Sequence, residues 1–216
     1  MNHEILPFVV SSVHSPADLR DAAALRSEAY GRHTESLRSA LARPDLVDRR
    51  HGTLVLLVRD KATGAAVGTA RMQFSHHGPL PLDACVTLPP TLARARRAEI
   101  TRLAIAHGAD ARVRLALFKA CWQYCEAEDV AHLVIAARSA ALLRIYGHLG
   151  MTTLTDADDW INLPYAGDLP HRVRTLDMRS VYALWRDAHH PAMPFMVGTH
   201  HPDIHAPQAL PLPLAA

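Results

Sequence analysis

The chain has 216 residues, enough for one domain with a sizeable core. Hydrophobic residues make up 49% and charged residues 20%, a globular balance that excludes wholesale disorder. Lys and Arg number 23 against 21 Asp and Glu, and a formal charge of +2 argues against a nucleic-acid-binding protein. The longest aliphatic run, residues 54–58, is far too short for a membrane span. Met1-Asn2-His3-Glu4 begins no recognisable secretory leader. Three cysteines (Cys85, Cys121, Cys125) make no disulfide framework, so a reducing cytoplasm is the expected compartment.

Residues 5–13, with Phe8-Val9-Val10, predict an opening strand. Ser15-Pro16-Ala17-Asp18 then starts a helix, with Ser at the N-cap, Pro at N1 and a carboxylate at N3, and Gly31 ends it. Residues 32–51 read as a short helix and an irregular loop. Next comes the plainest hairpin: a strand over 53–58, a turn over 60–64 and a return strand over 65–74. Four prolines make 78–91 a loop. A strand is predicted over 99–106, broken by Gly108, with Asp110 as N-cap of a helix. Val113, Leu117, Ala120 and Tyr124 form one stripe of that helix, and Leu115, Phe118, Trp122 and Cys125 a second. A buried-type strand over 132–136, a helix over 139–149 closed by Gly150, strands over 151–155 and 174–178 and a helix over 181–188 follow. From His189 the chain is rich in proline and histidine and reads as an extended tail, 189–216. This order argues for an α/β fold, a mixed, mostly antiparallel sheet flanked by helices, in one domain over 1–188.

Specific residues on that order resemble the GNAT acyltransferase superfamily. Leu142-Leu-Arg-Ile-Tyr146-Gly-His-Leu-Gly150-Met151 is similar to its helix-and-turn motif, in which a tyrosine precedes Leu-Gly-Met. The set Arg26-x-x-x-Tyr30, Asp45-x-x-Asp48, Gly68-Thr-Ala-Arg71 and Glu99-x-x-Arg102-Leu-Ala resembles acyl-homoserine-lactone synthases. It resembles the related N-acyl amino acid synthases more closely still. The likeness covers about residues 20–155. It implies an N-acyltransferase that moves a medium- or long-chain acyl group from acyl carrier protein to the amine of an amino acid or similar small molecule. The sequence departs in two places. The stretch 31–36 lacks the tryptophan that homoserine-lactone synthases carry, which favours an amine other than S-adenosylmethionine. The coenzyme loop, residues 106–112, has one glycine and an aspartate, poor material for binding the diphosphate of coenzyme A.

Glu99 and Arg102 lie in an apolar strand, where an ionisable pair is costly unless partnered. They either form a structural salt bridge, or Glu99 takes the amine proton while Arg102 orients a carboxylate. A spacing of three puts them on opposite faces of a regular strand, so cooperation requires a bulge, and the resemblance implies one. Tyr146 is either packed over the helix end or, by resemblance, protonates the departing thiolate. Arg26 and Tyr30 share a helix face, and the resemblance implies that they cover the amine and acyl-chain site. Asp45, Asp48 and Arg71 either form a charge cluster that grips a substrate carboxylate or are solvated. Arg94, Arg96 and Arg97, with Arg112, Arg114 and Lys119, either form a solvated face or flank the donor mouth and attract an acidic carrier protein. The paired histidines, His76-His77 among them, lack ligand spacing on a common face, so no metal and no redox cofactor is expected. Cys121 and Cys125 read as core. Expected partners are acyl carrier protein and a small amine, with contact at a membrane surface only through a lipid product. The competing readings are an acetyl-CoA-dependent GNAT acetyltransferase, an acyl-homoserine-lactone synthase, and a non-catalytic GNAT-like binding domain.

Overall fold

Side-chain parity in the central hairpin decides the layers. In the structure, a computed structural model describing residues 2–154 and 159–205, strands β3 (Thr53–Asp60) and β4 (Ala66–Phe74) pair antiparallel. They follow β1 (Asn2–His3), β2 (Phe8–Ser12), α1 (Pro16–Gly31), α2 (Glu35–Ala40) and a 3-10 turn, Leu46–Arg49. Leu54, Leu56 and Val58, with Ala70 and Met72, point into the main core, whereas Val55 and Leu57 point into a smaller cluster on the other face. Such a hairpin is apolar on both faces and must be covered twice. Helix α4 (Arg112–Ala127) covers the main core with Val113, Leu117, Ala120 and Tyr124, the predicted stripe. Helix α1 covers the other face with Leu19 and Ala22. Gly68 lets α4 approach, because a Cβ there would lie 2.6 Å from Cγ1 of Val113.

The remaining elements are α3 (Pro90–Arg94), β5 (Arg97–Ile105), β6 (His132–Ala137), α5 (Ala140–His148), β7 (Thr152–Thr153), β8 (Ile161–Leu163), β9 (Leu169–Asp177), α6 (Val181–Asp187) and β10 (Thr199–His200). The main sheet runs β2-β3-β4-β5-β6-β9-β7, with β8 also on β9. Every neighbouring pair in it is antiparallel except β5 with β6. The expected mixed, mostly antiparallel sheet is therefore present. The α1 cap forms as the sequence dictates, Ser15 Oγ accepting from the Asp18 N–H at 3.1 Å. Strand β5 starts two residues before the expected 99, β9 is longer than 174–178, and β8 has no counterpart among the predicted elements. The strand expected over 151–155 appears as β7, its Thr155 lying outside the described residues.

Residues 189–205 of the expected extended tail are paired to the rest of the chain. Strand β10 pairs with β1, Ile204 bridges to Val10, and the His205 N–H donates to the Val10 carbonyl at 2.9 Å. This covers the outer edge of β2, which would otherwise expose unpaired backbone groups. Lys119 of α4, expected at the donor mouth, is buried instead and fastens this segment, donating to the carbonyls of Phe195 (2.9 Å) and Thr199 (2.6 Å) and lying 2.9 Å from His201 Nδ1. The rest of that expected tail, 206–216, lies outside the described residues. Among the described residues no helix is long and apolar enough to cross a membrane.

Ile204 is 5% exposed, within the main core. Ile204→Ala is expected to cost about 2–4 kcal/mol in urea denaturation, whereas a detached tail would show no change.

Candidate active site

Strand β5 pairs with β6 only from Arg97–His132 to Ile100–Ile135, and beyond Ile100 the two strands part. The cause lies in β5. Arg71 of β4 pairs with Thr101 and Thr69 with Ala104, so Arg102 and Leu103 together oppose Ala70. Arg102 adopts a left-handed backbone, φ 55°, at a cost of about 1–2 kcal/mol for a side-chain-bearing residue. The parted strands leave a cavity of about 840 Å³ lined by Glu99, Arg102, Tyr30, Arg114, Tyr146 and Tyr165, among others.

Ala98 and Ile100 face the main core, so Glu99 and Thr101 face the α1 side, with Arg71. The left-handed step brings Arg102 to that side too, its Nη2 lying 3.8 Å from Asp45. The bulge that cooperation required is present, at Arg102 itself. Glu99 and Arg102 are nevertheless not each other's partner. Glu99 is 1% exposed, and its carboxylate accepts from the Leu82 N–H at 3.0 Å and the Tyr165 hydroxyl at 2.7 Å. Burial pushes its pKa up to about 7, and the two hydrogen bonds, which favour the charged form, offset part of that rise. Tyr165, held up by burial and then by the neighbouring Glu99 charge, stays a donor. Nothing in the sequence singles it out: it sits 66 residues from Glu99, on a 3-10 turn after β8.

Tyr146 is buried against Phe118 and faces the cavity, and burial raises its pKa. Tyr30 lines the cavity and donates to the Leu103 carbonyl at 3.1 Å. Arg26, Asp45, Asp48 and Arg71, expected at the substrate, form instead a largely buried network outside the lining. One Arg26 nitrogen lies 2.8 and 2.9 Å from the two Asp48 oxygens. Arg71 Nη1 holds Asp45 at 2.8 and 2.9 Å and Asp48 at 3.3 Å, while its Nε donates to Thr101 at 3.0 Å. Burial would raise Asp45, but the charge and hydrogen bonds of Arg71 outweigh it and keep Asp45 below its ordinary value. The network braces Thr101 and Arg102, the bulge itself.

The basic residues divide by strand direction. Arg97 begins β5, about 26 Å from its far end at about 3.3 Å per residue; it is buried and bonded to Asp83, so it is not at the mouth. Arg96 sits nearby, bonded to the Glu128 carbonyl. Arg114 lines the cavity, and its Nε is buried with no partner among the described residues. Arg112 chelates Asp110 at 3.1 and 2.7 Å and reaches Glu4 at 2.9 Å. The N-cap of α4 is Ala111 rather than the expected Asp110, but Asp110, one residue earlier, accepts from the Arg112 N–H at 2.8 Å, so a carboxylate takes the first backbone donor of the helix. Cys121 and Cys125 are fully buried, and burial pushes both thiols up.

Glu99 binds its proton more tightly folded, at about 7, than at its ordinary 4.5. The folded chain therefore keeps a proton that the unfolded chain loses between those values, and stability falls as pH rises through that window. Glu99→Gln keeps the shape and cannot ionise. It is expected to exceed wild type by about 1–3 kcal/mol near pH 8 and to match it near pH 4 in urea denaturation.

Neither a family model nor a curated protein matches the sequence. Solved structures do match the fold. The N-acyl amino acid synthase FeeM from uncultured soil microbes superposes with a TM-score of 0.61 at 16% identity, covering 82% of this chain and 93% of that one. The CoA-dependent acyl-homoserine lactone synthase BjaI, with SAM and isopentyl-CoA, gives 0.60 at 17% identity over 94% and 95%. FdhC, a nucleotide-linked sugar GNAT, gives 0.55 at 7% identity over 88% and 96%. Across neighbours with such different substrates, the likeness establishes one thing: a GNAT-type fold.

Proposed function

We propose that the protein is an N-acyltransferase that moves a medium- or long-chain acyl group from a thioester on acyl carrier protein to the amine of an amino acid or similar small molecule. The observation that carries this reading is Glu99: a buried carboxylate poised near neutrality, aimed by Tyr165 and the Leu82 N–H, in the wall of a large cavity where two strands part. In the proposed step the amine nitrogen attacks the thioester carbon and passes its proton to Glu99. A backbone N–H of the bulge at Arg102–Leu103 stabilises the oxyanion. The carbon–sulfur bond then breaks, and the departing sulfur takes a proton from Tyr146, which Glu99 restores as the site resets. Arg102, whose Nε is buried without a partner among the described residues, suits the carboxylate of an amino acid acceptor. Arg26, Asp45, Asp48 and Arg71 act at one remove, as positioning residues for the bulge.

Two observations support a carrier-protein donor over free coenzyme A. Asp110 fills the helix start where a diphosphate would sit, and a phosphopantetheine arm brings no diphosphate there. Arg32 and Arg138 are exposed where they line the cavity, suited to an acidic carrier surface. The reading places the reaction in the cytoplasm and needs no metal or redox cofactor. A non-catalytic domain would tie Glu99 to Arg102 and close the space beside them, and neither is found.

Mass spectrometry of lipids from a bacterial host expressing wild type beside Glu99→Gln tests the reaction. A series of N-acyl amino acids present only with wild type is expected; no new lipid from folded wild-type protein would sink the proposal. Purified protein offered acyl carrier protein and CoA thioesters of one chain then separates the donors.

Tyr165→Phe removes a bond that favours ionised Glu99, so the carboxyl should hold its proton to higher pH. With Glu99 as the base, the acid limb of kcat/KM is expected near pH 7 in wild type and about one to two pH units higher in the variant. The amine's own titration is common to both proteins and cancels in the comparison. An unmoved limb would detach Tyr165 from the base.

A further inference from the structure

A second constellation lies at the start of β5, away from the cavity. Strand β4 ends at Phe74, and Ser75–His77 makes one 3-10 turn. In a continued strand His76 and His77 would point to opposite faces. The turn instead brings their ring centroids to 4.3 Å. His51, from the bend before β3, packs edge-on against His77 at 4.8 Å. Glu128, just past the end of α4, places Oε2 3.1 Å from Nε2 of His76. One donor atom from each of His76, His77 and Glu128 falls within 4.8 Å of the others.

The seat is specifically shaped. Gly52 has φ +74°, and a Cβ there would lie 2.3 Å from Cβ of His77, so the histidine is seated where any side chain at 52 would displace it. Nδ1 of His76 is buried without a partner, and His77 makes no hydrogen bond among the described residues. A surface His–Glu hydrogen bond with stacked rings accounts for the contact to Glu128. It gives no reason for a second and third imidazole gathered from separate chain segments.

We propose that His76, His77 and Glu128 bind a late first-row divalent metal ion, with zinc as the reference ion and His51 placed to complete the set. Two imidazoles and a carboxylate are donors that zinc accepts in a tetrahedral site, with bonds of about 2.0–2.2 Å. Donor atoms on such a tetrahedron are about 3.4 Å apart, so no spacing need close by more than about 1.4 Å, a side-chain rotation. The adjacency that argued against these histidines as ligands is undone by the turn. The ion would tie together the bend before β3, the end of β4 and the end of α4. It would also anchor the start of the 78–91 loop, whose Leu82 N–H holds Glu99. The proposal stands independently of the acyl-transfer reading.

The test is zinc titration by calorimetry into chelator-treated full-length protein, with cobalt(II) absorption and thermal denaturation alongside. Expected are one zinc per chain, the intense visible bands of four-coordinate cobalt, and a Tm rise of about 5 °C or more at zinc a hundredfold above Kd. His77→Ala should abolish all three, and the near-isosteric Glu128→Gln should weaken binding at least about tenfold with the fold intact. His189→Asn, which alters an exposed histidine elsewhere, should bind as wild type does. Absence of binding to wild type, or equal binding by wild type and Glu128→Gln, would overturn the site and assign any zinc uptake to the other histidines.

Discussion

Strand β5 pairs with β6 for four residues and then takes a left-handed step at Arg102 that no ladder can follow. Everything the cavity offers follows from that step. It parts the strands, opens the floor of the cavity beside Glu99, and swings Arg102 onto the face that strand parity would have denied it. A left-handed arginine is unfavourable by about 1–2 kcal/mol, so something must hold it. The network of Arg26, Asp48, Arg71 and Asp45 does so, through Arg71 to Thr101 and through Asp45 to Arg102. Buried ion networks contribute little net stability, since desolvation consumes most of their attraction, yet breaking one costs about 3–5 kcal/mol. Its physical role is therefore to specify one backbone path rather than to add stability.

Residue type alone does not separate the groups of this network from Glu99. Arg26, Asp48 and Arg71 are as polar and as buried as Glu99, but their ionic bonds are made with each other and with Asp45. Glu99 has only neutral partners, the Leu82 N–H and the Tyr165 hydroxyl, so burial dominates and its proton affinity rises. The Arg71 charge lowers it from a distance, though by less than burial raises it, whereas a directly bonded cation would have pinned it as a permanent anion. A carboxyl that titrates near neutrality depends on having no directly bonded cation as much as on its burial.

Much of this was legible in the sequence where the determinants are local. The Ser15 cap, the 53–74 hairpin and the stripes of α4 depend on neighbours within a few residues, and they formed as read. Glu99, Arg102 and Tyr146 could be selected as candidates because charge or phenol in apolar surroundings is informative by itself. What was not legible depends on long-range placement. Tyr165 meets Glu99 across 66 residues, and Glu128 meets His76 across 52. Arg97 looked like part of one basic cluster with Arg112 and Arg114, but strand direction sends it to the opposite end of β5. The segment after His189 looked unstructured because its proline content hides an edge-pairing role that needs only backbone groups and a few buried side chains, Met196 and Ile204 among them.

The carboxylate of Asp110 on the first turn of α4 has a further consequence. It is tethered two residues from the N–H it accepts, so it competes with any arriving anion as though present at an effective concentration of about millimolar or above. A free phosphate or diphosphate must displace this built-in competitor before it gains anything from the helix. Rejection of a free phosphate at this N–H is thus set by a short covalent tether, and it weakens as salt screens the charges involved.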